Sequence, residues 1–78
     1  MSFSVRIVRA VSQLRKARER AGYTQSELAR LVEVPQATIS AIETGKTQNP
    51  SHTMVVRICR VLRRKPEDVF PVRLEHTA

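Results

Sequence analysis

Punctuation decides what this chain can build. Gly22, Pro35, Gly45, Pro50, Pro66 and Pro71 cut it into short intervals that hold short helices. Within the intervals the apolar residues recur at helical spacing. Leu14, Ala17 and Ala21 continue a stripe from Ile7, Ala10 and Val11, and the helix stops at Gly22. "TQSE" is a capping box in which Thr24 caps and Glu27 reaches back, opening a second helix with Leu28, Ala29, Leu31 and Val32 on its apolar side. After a turn over Glu33 to Pro35, a third helix runs to Thr44 and ends at Gly45. Pro35 suits its first turn, where a missing N–H costs nothing. Ser51 caps a fourth helix with Met54, Val55, Ile58, Cys59 and Leu62 inward, reaching Leu62 or Arg63. Pro66, Glu67 and Asp68 open a short fifth, to which Val69 and Phe70 supply apolar contact. The expectation is a compact all-α domain of five helices.

The ends are less regular. "FSVRIV" fits a helix from about Ser4, the reading favoured here, but it also alternates like a strand. Val72 and Leu74, two apart, give a faint strand signal in the tail. The whole chain, 1–78, reads as one domain with a core over 11–70, an N-terminal extension 1–10 and a tail 71–78. A chain of this size buries only about 60–65% of the surface it exposes when unfolded.

Charge narrows the partners. Fourteen Lys and Arg against seven Asp and Glu leave a formal charge of +7, the electrostatic footprint of a polyanion binder, nucleic acid being the commonest such partner. An enzyme is not expected. His52 and His76 lie far apart, Cys59 is the sole cysteine, and no metal-ligand spacing, phosphate loop or nucleophile constellation occurs. No cofactor, metal or small-molecule substrate is therefore expected. No apolar run is long enough to span a membrane, and Arg6 and Arg9 break any signal-peptide pattern, so a cytoplasmic protein is expected.

The third helix carries the functional argument. Ile39 and Ile42 form its core stripe, while the opposite side presents Ala37, Ser40, Ala41 and Thr44, with Gln36 in the first turn. A solvated helix face is usually charged, and this one is slim and neutral. Helix, tight turn and slim-faced helix make the layout of a helix-turn-helix, whose second helix enters the DNA major groove. Ala37 and Ala41 permit close approach and can meet a thymine methyl. Gln36 can bond two atoms of an adenine edge, and Ser40 can donate or accept. The basic run Arg57, Arg60, Arg63, Arg64 and Lys65 reads first as a solvated face. Arg15, Lys16, Arg30 and Lys46 are candidates for phosphates.

Over Val11 to Phe70 the sequence resembles the Cro-type, lambda-repressor-like helix-turn-helix domains, also called the XRE family. The residues that carry the resemblance are Leu14, Arg18, Gly22, Thr24-Gln25, Leu28-Ala29, Val34, Ile39-Ser40, Ile42-Glu43, Gly45, Asn49-Pro50-Ser51 and Val69-Phe70. It implies a five-helix fold and sequence-specific binding of double-stranded DNA by a homodimer on a two-fold operator. By position it implies base contacts from Gln36, Ala37, Ser40 and Ala41, and phosphate contacts from Gln25, Thr44, Lys46, Thr47 and Gln48. Arg18 and Glu43 each lean about 40° off their core stripes, and the resemblance implies that they pair.

Three departures from the family pattern stand out. Glu33 and Arg63 replace the usual glycines, and Pro35 replaces the usual Ser or Thr cap. The apolar residues left for a dimer surface are Val69, Phe70, Val72 and Leu74, with Phe3 and Val5; a tail that folds back on its own domain is the equal alternative. The expected function is a transcriptional regulator, a repressor or autoregulator. The alternative is a protein-binding module, such as the antitoxin half of a toxin–antitoxin pair, using the same apolar ends. Because the domain fills the sequence, no separate ligand-sensing domain is expected.

Overall fold

The structure is a computed structural model that describes residues 4–9, 12–47 and 49–77. The elements in order are β1 (Ser4–Arg9), α1 (Leu14–Arg20), α2 (Gln25–Val32), α3 (Gln36–Thr44), α4 (His52–Leu62), α5 (Pro66–Val69) and β2 (Val72–Thr77). The five expected helices are all present, with a two-stranded ribbon made by the chain's two ends added to them.

Local chemistry starts and stops each helix. α1 begins where the Leu14 N–H meets the Ser12 hydroxyl at 3.0 Å, later than the start near Ser4 favoured from the sequence; Ala10 and Val11 of the expected stripe lie outside the described residues. The Gln13 N–H donates to the Val69 carbonyl at 2.9 Å, tying this end of α1 to α5. Ser51 caps α4 by accepting the Met54 N–H at 3.2 Å. α1, α2 and α4 end alike: just past each helix an N–H donates back five positions (Tyr23 to Arg18, Val34 to Ala29, Arg64 to Cys59), and the residue before that donor is left-handed. Gly22 fills that position after α1 at φ 82°, but Glu33 (φ 65°) and Arg63 (φ 54°) fill it after α2 and α4. An L side chain there crowds its own backbone.

The core joins Leu14, Leu28, Ala29, Val32, Ile39, Ile42, Val55, Ile58, Cys59, Leu62, Val69 and Phe70, with Ala17, Tyr23, Val34, Met54 and Val61 packed around it. Cys59 is 5% exposed, and burial, with the negative charges of Glu67 and Asp68, pushes its thiol above the ordinary value.

Four expectations change. The segment from Ser4 is a strand rather than a helix, because β2 supplies a pairing partner that its local periodicity could not reveal. Leu31 is 51% exposed: α2 buries the arc of Leu28, Ala29 and Val32, and Leu31 sits about 100° from its centre. Ala21 is exposed at the end of α1. Val69 and Phe70, 0% and 4% exposed, belong to the chain's own core and are not available as a dimer surface.

Candidate nucleic-acid interface

α2 and α3 are held at a fixed relation by their ends. At the start of α2 the Thr24 hydroxyl accepts the Glu27 N–H at 3.0 Å, and the Glu27 carboxylate accepts the Thr24 N–H at 2.9 Å. The bond from the Thr24 backbone is the main cause holding the Glu27 carboxyl below its ordinary value. At the other end Glu33 turns the chain, and Pro35 (φ −62°, ψ 148°) hands it to α3. Pro35 stands at the N-cap, one position before the expected first turn, and makes no side-chain cap bond. Pyrrolidine stiffness replaces the missing cap as the device that sets the entry direction.

Ile39 and Ile42 face the core from α3. Gln36, Ala37 and Thr44 are exposed, and Ser40 and Ala41 are half-buried. Lys46 and Thr47 are exposed just past α3, where Gly45 takes φ 85° and the Thr47 N–H returns to the Ala41 carbonyl at 3.0 Å. Gln48 lies outside the described residues.

Behind this face, Arg18 of α1 grips Glu43 of α3. Arg18 Nε donates to Glu43 Oε2 at 2.7 Å and its terminal nitrogen to Oε1 at 3.1 Å. The other terminal nitrogen donates to the Tyr23 carbonyl at 2.8 Å. The two side chains are 11% and 3% exposed. Burial pushes the Glu43 carboxyl up, but the bonds from Arg18 and Gln25 and the charge of Arg18 outweigh it and hold it below its ordinary value. The bond to Glu43 raises the Arg18 guanidinium further above its own, against burial.

Sequence reasoning missed how far this network extends. Gln25 Nε2 donates to Glu43 Oε1 at 3.1 Å, and Gln36 Nε2 approaches Gln25 Oε1 at 3.4 Å. The residues that open α2 and α3 are thereby linked to the buried ion pair. A Gln amide nitrogen has two hydrogens, so the bond to Glu43 orients the Gln25 amide and uses one of them. Its position as first residue of α2 was the available signal; its acceptor came from α3, far along the chain. Thr44 donates its hydroxyl to the Ser40 carbonyl at 2.9 Å, so this group meets a phosphate only by rotating. Among the other basic candidates, Arg15 pairs with Glu19 at 2.8 Å, and Lys16 lines a cleft of about 390 Å³ with Gln13, Ala17, Arg20, Arg64, Asp68 and Val69.

The family model described as "Helix-turn-helix domain" matches residues 9–70. The chain belongs to the helix-turn-helix domain family. Among curated relatives of this helix-turn-helix chain, an uncharacterized HTH-type transcriptional regulator, YgzD of Bacillus subtilis (strain 168), is 37% identical over 59 residues, covering 76% of this chain and 88% of that protein. An uncharacterized HTH-type transcriptional regulator of Archaeoglobus fulgidus is 41% identical over 59 residues, covering 76% and 83%. Among solved structures, SinR, the master regulator for biofilm formation, in complex with DNA, superposes with a TM-score of 0.68 at 29% identity, covering 70% of this chain and 87% of that one. SinR in its complex with SinI gives 0.68 at 28% identity, covering 72% and 54%. The lambda-repressor-like reading of residues Val11 to Phe70 and the five-helix fold both stand. No described helix is long and apolar enough to cross a membrane.

Proposed function

We propose that this helix-turn-helix chain is a DNA-binding transcriptional regulator that lays α3 in the major groove and works as a homodimer on a two-fold operator. The observation that carries this reading is the slim, uncharged outer face of α3, aimed by a locked turn, on a domain of charge +7. Gln36, Ala37, Ser40 and Ala41 meet base edges. Gln25, Thr44, Lys46, Thr47 and Gln48 hold the backbone, with Gln25 at a helix N-terminus that itself favours anions. The curated relatives carry regulator names, and SinR has been solved on DNA, which supports the same role here.

In this reading the chain acts in the cytoplasm, and occupancy of the operator is the mechanism of control. A second reading, a protein partner that regulates or is regulated by this domain, draws support from the complex of the similar SinR with SinI.

Selection from a random duplex pool at near-physiological salt tests the proposal. The expected result is a two-fold consensus with half-site centres about 34 Å apart, lost in the Gln36→Ala/Ser40→Ala variant. Salt-sensitive retention without any consensus would overturn sequence-specific regulation and leave generic attraction to DNA.

A further inference from the structure

The residues proposed to touch DNA include one charge, Lys46. Much of the remaining positive charge converges on the side of the domain made by α1, α4 and the start of α5. Lys16 and Arg20 come from α1, Arg60 from α4, and Arg63 and Arg64 from the link into α5. They rim two neighbouring depressions that share Arg64: the cleft against α1 described above, and an open hollow of about 240 Å³ against α4, rimmed by Arg60, Arg63 and Arg64. None of these cations makes an ion pair among the described residues, whereas Arg15 and Arg18 of α1 both do. Asp68 is the only carboxylate lining either depression. Helix ends do not account for the arrangement. The C-termini of α4 and α1 favour Arg60, Arg63 and Arg20, but Lys16 stands in the first turn of α1, where the dipole opposes it. Arg57 and Arg60, three apart on α4, repel each other. The hollow itself is of another character. Its remaining lining is Val56, Cys59 and Pro66, and the Cys59 thiol, kept neutral by burial, adds no charge.

We propose that this side of the domain docks an acidic segment of a partner protein, which sets an apolar side chain in the hollow over Cys59 and its carboxylates against Arg60, Arg63 and Arg64, with Lys16 and Arg20 meeting the carboxylates beyond. Charge complementarity selects an acidic partner, and the apolar lining selects a peptide among the polyanions. A duplex keeps its bases stacked inside and offers such a hollow only sugar and phosphate. A small anion meets one or two of the cations and leaves the hollow empty. A peptide carries both features at once, and each guanidinium can hold a carboxylate through two parallel hydrogen bonds. The surface uses none of the residues proposed to touch DNA, so the inference goes beyond the duplex reading and does not rest on it.

The test is fluorescence anisotropy and amide NMR on the full, DNA-free chain at near-physiological salt, with a short labelled peptide of Glu and Asp around one Phe. The peptide is expected to bind and to shift the amides of Val56, Cys59, Arg60 and Arg64. Replacing its Phe by Ser, at unchanged charge, is expected to weaken binding about tenfold. The double variant Arg60→Gln/Arg64→Gln, at two exposed positions, is expected to weaken it by about as much, with circular dichroism confirming an intact fold. No binding, equal binding of the Phe and Ser peptides, unchanged affinity in the double variant, or shifts confined to other faces would each overturn the proposal. So would a single-stranded oligonucleotide that shifts the same amides while the peptide shifts none, which would make this side a nucleic-acid contact. Because docking is read without DNA, its failure leaves the duplex reading untouched, and a chain that docks the peptide yet selects no duplex sequence would overturn the regulator reading alone.

Discussion

Arg18 and Glu43 meet through two parallel hydrogen bonds, of 2.7 and 3.1 Å, and so join α1 to α3 behind the face proposed to read DNA. The same carboxylate accepts Gln25, so the residue that opens α2 depends on the same pair. The ion pair is thus also a positioning device for the interface.

Removing one partner leaves the other charge buried without compensation. Glu43→Ala is expected to cost about 3–5 kcal/mol, read as a fall in the denaturant midpoint. Replacing both, as in Arg18→Met/Glu43→Leu, should cost far less than the single change. It should still impair DNA binding, because Gln25 loses its acceptor. A loss below about 1 kcal/mol for Glu43→Ala would show that the pair is not energetically buried.

The lowered Glu43 carboxyl makes stability depend on acid. A carboxyl whose folded pKa lies below its unfolded value adds stability that is complete above the unfolded value, near 4.5, and is lost as pH falls through the folded one. Arg18 stays charged throughout this window. Thermal melts should therefore be level from neutrality down to about pH 5 and fall below it. In Glu43→Gln that acid fall should be smaller, from a lower plateau. Identical acid profiles for the two proteins would place the effect elsewhere.

Glu33 and Arg63 occupy left-handed positions at φ 65° and 54°. Glycine relieves the crowding there but loses more backbone entropy on folding. The balance favours Glu33→Gly and Arg63→Gly by about 0.5–1 kcal/mol each. The change should appear as a higher urea midpoint with an unchanged slope. Gly45→Ala should do the opposite: nothing lies within 4 Å of an added Cβ, so its cost comes from φ 85° itself.

Lys46 and Gln36 should separate affinity from specificity. Lys46→Ala removes a charge from the edge of the interface and should weaken all duplexes alike. The slope of log affinity against log salt should become shallower by about one unit. Gln36→Ala should cost about 1–3 kcal/mol on the preferred site and little on others. Binding isotherms on selected and scrambled duplexes at several salt concentrations check both.

Most helix boundaries are legible in the sequence because they rest on short-range rules. The Thr24–Glu27 box, the Ser51 cap, and Gly22 and Gly45 past their helices each need partners only a few residues away. So does the stripe of Ile39 and Ile42, whose complement is the outer face of α3. The resemblance went further and pointed to Arg18 and Glu43 as partners.

Tertiary structure decided whatever depends on a partner distant in the chain. Ser4–Arg9 became a strand because residues 72–77 lie beside it, and an amphipathic hexamer is ambiguous until such a neighbour exists. Val69 and Phe70 looked spare by sequence and are buried because α5 closes the core, where Val69 also accepts the Gln13 N–H. Leu31 looked internal and is exposed because the direction of the core, not the hydropathy of one residue, selects the buried arc of a helix. Gln25 is tied to Glu43 rather than free, since its acceptor is brought up by the packing of α3. Local bonding rules thus wrote the list of helices, while long-range packing chose their inward faces and the state of the polar groups between them.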